Sequence, residues 1–242
     1  EFTLIVEDSG CDATTAAAAT QSLADSGVSG IVGPACDNAA MSAMQVAMSE
    51  KIPLISYASS SPALSTAVDD GYMWRVVASI AYEGIAAATW AQLAQITNPA
   101  VMARNSTAEA PIAQAFIASA MAAGIQLCYT SFYSDDTTNF SADVAAIKAA
   151  GCDGVFLVSE FTDGSAIIEE LAAQELLGED GITVVGHGGI GDADFADEFD
   201  NPGLLDGIYG SRAASSESTP EVYHFIQRYL SAYGSDPGEH AP

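Results

Sequence analysis

The residues best placed for chemistry lie in two short turns, each after an apolar run. Gly30-Ile31-Val32-Gly33 leads into Pro34-Ala35-Cys36-Asp37-Asn38, and Ile55-Ser56 leads into Tyr57-Ala58-Ser59-Ser60-Ser61-Pro62. A serine hydroxyl donates to a carboxylate and accepts from an ammonium. An ionised aspartate repels a carboxylate but attracts an ammonium or an amide. Together the turns read as one wall of a small-molecule site. Covalent chemistry has less support. No GxSxG and no Walker A sequence occurs, and a distant His187 does not make a triad of Ser59-Ser60-Ser61. The four cysteines (Cys11, Cys36, Cys128, Cys152) form no CxxC, and no histidine stands at zinc-like spacing, so neither metal nor cofactor is expected. Their even number fits either disulfides in an oxidising compartment or four buried thiols.

The elements that must carry these turns follow a regular order. Strands are expected at 2–6, 28–32 and 52–56, and helices at 13–26 and 38–49. Asp12 can cap the first helix and Gly27 can stop it; Asp37 or Asn38 can cap the second. A stretch at 71–79 leads into a helix at 82–94. A second series then begins, with strands at 100–103, 125–129, 154–158 and 182–185. Its helices are expected at 110–123, 141–150 and 165–177, and each stops at a glycine (Gly124, Gly151, Gly178). Helix, glycine, apolar run, polar turn, helix is the pattern of βαβ units and a parallel sheet. A returning strand is expected within 204–210, a polar loop at 215–220, an amphipathic helix at 221–233, and a tail of turn composition after it. The fold class is therefore α/β. Ligands bind at the carboxyl ends of such strands, where helix N-termini present free N–H groups.

The totals exclude several partners. Six basic residues stand against 32 acidic ones among 242, a net charge of −26. Phosphate backbones and anionic lipid surfaces both need clustered Lys or Arg, so neither nucleic acid nor a membrane surface is expected as a partner. Few lysines on so acidic a chain suggest a salt-rich habitat, in which self-repulsion is screened. No apolar run approaches the roughly 20 residues that cross a bilayer.

Leu4-Ile5-Val6-Glu7-Asp8-Ser9-Gly10-Cys11-Asp12, Ile31-Val32-Gly33-Pro34-Ala35-Cys36, Pro53-Leu54-Ile55-Ser56-Tyr57-Ala58-Ser59-Ser60-Ser61-Pro62-Ala63-Leu64 and Trp74-Arg75 carry a resemblance. In order and spacing they resemble type I periplasmic solute-binding proteins of ABC transporters, above all the leucine/isoleucine/valine-binding branch. The resemblance implies two Rossmann-like lobes with parallel sheets flanked by helices, and a ligand cleft between them. It assigns 1–77 and 207–242 to lobe one and 78–206 to lobe two. It also implies a fragment: the family's first strand and helix and its closing helices have no counterpart here, and lobe one lacks its central strand. The implied function is non-catalytic: a monomeric receptor, periplasmic or extracellular and in some members lipid-anchored. It takes a branched-chain or other apolar amino acid by hinge closure and delivers it to a membrane permease. An amide or small carboxylate ligand, or the ligand-binding ectodomain of a membrane sensor, are the alternatives.

Site residues follow by resemblance. Asp37 falls where the branch has a serine, and is either a ligand contact or a helix cap. Ala58 and Ser60 fall at a backbone acceptor and a hydroxyl, with Ser59 between them, and Tyr57 lines the cleft or merely packs. In lobe two, Ala108 is the nearest match to a ligand-stacking tyrosine. Glu160 and Phe161 match a tyrosine pair, with Phe161 as apolar wall. The branch's ammonium-binding glutamate aligns with Gly188, beside His187; Glu160 or Asp37 can restore the charge. His187 is a ligand contact or a satisfied loop histidine. Arg104 either holds an acidic ligand or forms a surface ion pair. Cys11 and Cys36 match a disulfide of the branch. Cys128 and Cys152, early in the strands on either side of a crossover helix, are expected to pair because adjacent parallel strands bring such positions within reach.

Overall fold

A computed structural model describes residues 3–178, 181–191, 193–211 and 219–234. Phe2, most of the expected polar loop (residues 215–218) and the tail after Gly234 lie outside the described residues. The chain divides into two compact units, Glu1–Ser79 with Ala214–Pro242, and Ile80–Ala213.

The first unit contains α1 (Ala13–Asp25), β1 (Ile31–Val32), α2 (Asp37–Glu50), β2 (Leu54–Ser56) and β3 (Met73–Arg75). Asp12 caps α1, its Oδ1 accepting from the Thr15 N–H at 2.9 Å, and Gly27 follows with φ +72°. The strands pair in parallel in the order β1-β2-β3. Ile31, Leu54 and Met73 pack on Ala40, Ala43, Met44 and Ala47 of α2. The alternate row, Val32–Ile55–Trp74, is in register across all three strands and is 79%, 40% and 61% exposed. The strand expected at 2–6 does not form: residues 3–6 have no ladder partner, and Leu4 and Val6 are exposed.

The second unit contains α3 (Ala81–Leu93), β4 (Pro99–Arg104), α4 (Glu109–Ala122), β5 (Tyr129–Tyr133), α5 (Ser141–Ala150), β6 (Gly154–Val158), α6 (Phe161–Ala173), β7 (Thr183–Gly186) and β8 (Tyr209–Gly210). All pairs are parallel, in the order β5-β4-β6-β7-β8. Both faces are covered, as a parallel sheet requires. Val101, Ala103, Phe156, Val158 and Val185 meet α3 and α4; Ala100, Met102, Val155, Leu157 and Val184 meet α5 and α6. The helix α7 (Pro220–Tyr233) buries no residue, although its apolar residues fall at helical spacing.

The strand expected at 28–32 shortens to Ile31–Val32, and three further expectations change. The strand expected at 125–129 is β5, four residues later. Ile125 instead closes the end of α4, its N–H donating to the Ala120 carbonyl at 2.9 Å, and is buried with α3 and α4. The helix expected at 165–177 starts at Phe161, with Gly164 inside it. The strand expected to return to lobe one from Gly207 onward instead pairs with β7.

Both disulfides form, Cys11–Cys36 and Cys128–Cys152. The second does not join adjacent strands, because β4 lies between β5 and β6. It closes at the amino end of β4, where the Cys128 N–H donates to the Pro99 carbonyl and the Asp153 N–H to that of Asn98.

Candidate functional site

In the first unit the turns that follow β1 and β2 are stitched together by hydroxyls. The Ser56 hydroxyl donates to the Pro34 carbonyl at 2.6 Å and accepts from the Ser59 N–H at 3.0 Å. The Ser59 hydroxyl donates to the Ala35 carbonyl at 2.8 Å, and Ser59 is buried. Asp37 is the first residue of α2 and makes no capping bond; its Oδ1 accepts from the Ser61 N–H at 2.9 Å, tying one turn to the other. The Arg75 Nη1 braces the same turn by donating to the Ser61 carbonyl at 2.8 Å. Tyr57 is half-buried, its ring edge against Gly33. Ala58 and Ser60 are partly exposed, and the Ser60 hydroxyl makes no hydrogen bond among the described residues. Ser60 is therefore a hydroxyl of this turn without a protein partner among the described residues.

In the second unit, strand order reverses at β4, with β5 on one side and β6 on the other. Such a switch point opens a crevice at the carboxyl ends of the strands. Arg104 ends β4 there. Its Nε lies 3.0 Å from Asp135 and 3.9 Å from Asp163, and its Nη1 lies 3.6 Å from Glu160. Burial lowers the basicity of this guanidinium, but the charges of Asp163, Asp135 and Glu160 more than offset that. The Tyr133 hydroxyl, at the end of β5, donates to Asp163 at 2.8 Å. Burial, with the Asp163 charge added, pushes this phenol far above its ordinary range.

Glu109, 7% exposed at the start of α4, accepts from the Ser106 hydroxyl and donates its own N–H back to it. Burial raises its carboxyl above the ordinary range; its own N–H opposes this, the Glu160 charge adds to it, and His187 and Arg104 oppose it more weakly. Ala108, just before it, is exposed. Phe161 packs on Phe195, ring centroids 5.4 Å apart, in the core beside α6.

His187 follows β7 and is buried. Its Nε2 donates to the Ser159 carbonyl at 2.8 Å, and its Nδ1 accepts from the Gly189 N–H at 3.1 Å. Both ring nitrogens thus have backbone partners. Glu83, in the first turn of α3, meets the same loop: its Oε2 accepts from the Gly188 N–H at 3.0 Å and lies 3.8 Å from His187 Nδ1. Burial raises this carboxyl, but hydrogen bonding from His187 and Gly188 and the imidazole charge outweigh it, and the group sits below its ordinary value. Nothing in the local sequence marks Glu83, because its partner stands 105 residues away. The sequence also hides a GxGxxG spacing at Gly186-His187-Gly188-Gly189-Ile190-Gly191. It is no dinucleotide fingerprint, since a 3-10 turn at Gly188–Ile190 follows β7 in place of a helix.

Comparison with curated protein sequences finds no match. Solved structures give matches in fold. A Rhodospirillum rubrum protein, provisionally assigned as a branched-chain amino acid ABC transporter, superposes with a TM-score of 0.79 at 21% identity, over 99% of this chain and 67% of its own. A leucine-binding protein from Thermotoga maritima gives 0.70 at 18%, over 98% and 67%. An ABC transporter solute-binding protein from Rhodopseudomonas palustris, in complex with 3,4-dihydroxybenzoic acid, gives 0.67 at 20%, over 99% and 65%. The chain thus spans about two thirds of the length of each. The family described as periplasmic binding protein matches residues 1–242. Together with parallel α/β sheets in both units, this match means that the chain belongs to the periplasmic binding protein family.

Proposed function

We propose that the protein is a non-catalytic solute receptor of an ABC importer, periplasmic or extracellular, and that its solute is a branched-chain or other apolar amino acid. Binding by hinge closure and delivery to a permease belong to the same proposal. The observation that carries the choice of solute is the state of Arg104. It is the cation at the switch point of the second unit, and three carboxylates already surround it. That edge is left with an excess of negative charge and favours an ammonium over a second carboxylate. In the first unit, the open Ser60 hydroxyl and the N–H groups at the start of α2 suit the solute's carboxylate.

A thermal-shift screen on the full chain tests this reading, with aliphatic amino acids, short amides and aromatic carboxylates in the panel. A ligand that binds only the native state raises Tm, by about 2.7 kcal/mol of stability at a concentration 100 times Kd. A rise with leucine, isoleucine or valine is the expected result. A rise with aromatic carboxylates alone would keep the receptor and retire the amino acid.

A further inference from the structure

We propose that Asn139 is a glycan acceptor: its carboxamide nitrogen carries an N-linked oligosaccharide on the loop between β5 and α5. The site goes beyond the receptor reading and does not depend on the solute.

Two triplets of the sequence have the Asn-x-Ser/Thr spacing of an N-glycosylation acceptor, Asn105-Ser106-Thr107 and Asn139-Phe140-Ser141, and neither has proline in the middle. Their settings differ. Asn139 lies between β5 and α5, outside any helix or strand, and is exposed. Phe140, the middle residue, is buried and meets the Tyr133 ring edge-on, centroids 5.0 Å apart. That contact pins the triplet at the margin of the second sheet, where β5 is the end strand. The Asn139 Oδ1 accepts from the Ser141 N–H at 3.0 Å and from the Ser141 hydroxyl at 2.7 Å. The third-position hydroxyl thus engages the carboxamide through its oxygen. The two Nδ2 donors are left with no hydrogen bond among the described residues. A glycan on that nitrogen displaces no contact of the fold, as a bulky surface modification requires. Asn105 is also exposed, but it follows Arg104 at the carboxyl end of β4, and its N–H donates to the Tyr133 carbonyl at 2.8 Å. A glycan there would fill the crevice at the switch point. Its middle residue, Ser106, is held by Glu109, and no hydrogen bond joins Asn105 to Thr107 among the described residues. The compartment fits as well. Two disulfides form, as in oxidising surroundings, and the chain belongs to a periplasmic family. In the transfer, Asn139 Nδ2 bonds to the anomeric carbon of a glycan that an oligosaccharyltransferase holds on a lipid phosphate. The bond from that carbon to the phosphate oxygen breaks, and the lipid phosphate leaves with the electron pair. One Nδ2 proton passes to a base of the transferase.

Mass spectrometry of the full chain, purified from the organism that makes it, tests the site. Trypsin cuts after Arg104 and Lys148, so after reduction a single peptide, residues 105–148, holds both triplets. Fragmentation that spares the glycan then reads which asparagine bears it. The expected result is a chain heavier than its sequence by a whole glycan, with that mass on Asn139 and none on Asn105. Asn139→Gln and Ser141→Ala, made in the same organism, should each abolish the added mass. Ser141→Thr should keep it, because threonine retains the acceptor pattern. A wild type at the mass of the bare sequence would overturn the proposal, and this reading needs no variant to fold. A glycan found on Asn105 instead, or one that survives Ser141→Ala, would overturn it too. Each of these outcomes leaves the receptor reading untouched, since solute binding is measured separately by the thermal shift.

Discussion

Asp37 illustrates how one side chain serves a turn that its own position does not reveal. Its carboxylate holds the Ser61 N–H, so the two turns of the first unit move as one. Asp37→Ala should cost about 1–2 kcal/mol in the ligand-free protein, read by urea unfolding; a change below about 0.3 kcal/mol would show that the tie is idle. Glu109 behaves differently. Its folded-state pKa is raised, so protonation stabilises the fold at low pH, and that contribution is lost as pH rises through the folded value. Glu109→Gln keeps the acceptor for Ser106 without the charge. It should lie closest to wild type at low pH, where the wild-type carboxyl is protonated, and exceed it at pH 7, read as a higher Tm. Equal Tm differences at both pH values would refute this account. The turn residues themselves were legible from sequence, because serines and an aspartate after apolar runs stand out. Which of them face inward was not. Ser59 and His187 spend their polar atoms on backbone partners, and Glu83 acts on a glycine far along the chain.

Among the elements, those with an unambiguous sequence signal read most clearly. β6, buried at every position, and α5, closed by a left-handed glycine, stand where the sequence places them, because an unbroken apolar run and a terminal glycine leave little choice. β5 was obscured because its residues are polar and aromatic, while the apolar Ile125 before it belongs to the helical layer. α6 begins early because Gly164 is a packing glycine: a Cβ there would lie 2.7 Å from the Ser159 hydroxyl and 3.1 Å from Ile190. The contact of α3 with α4 depends on the same device. At Gly84 a Cβ would fall 2.1 Å from the Ile112 carbonyl oxygen and 2.7 Å from the Phe116 nitrogen, both backbone atoms that cannot turn aside. Gly84→Ala should therefore destabilise by about 3 kcal/mol or more, seen as a lower urea midpoint at unchanged slope. A loss under about 1 kcal/mol would mean that the helices part without resistance. The Cys128–Cys152 bridge closes a loop of 24-residue separation across the start of β4. Replacing both cysteines by serine should cost about 3–4 kcal/mol. An unchanged unfolding midpoint under non-reducing conditions would sink that expectation.

For the whole molecule, the net charge of −26 is the dominant fact. Raising ionic strength from 0.1 M to 1 M shortens the screening length from about 10 Å to about 3 Å. Self-repulsion then weakens, and Tm should rise by at least about 4 °C in molar sodium chloride, on the order of 1 kcal/mol. A flat response would remove repulsion from the account of this composition. The first unit also carries the uncovered row Val32–Ile55–Trp74, and the row contains one of only two tryptophans. Trp90, the other, is partly buried against Tyr209 with ring centroids 4.8 Å apart. The two indoles are therefore optically distinct. Trp74 should emit from water, at the red edge of the protein's fluorescence and open to acrylamide, and Trp74→Phe should leave the bluer, shielded emission of Trp90. The bare face of the first sheet reports its own wetness, in a colour that no other residue of the chain supplies.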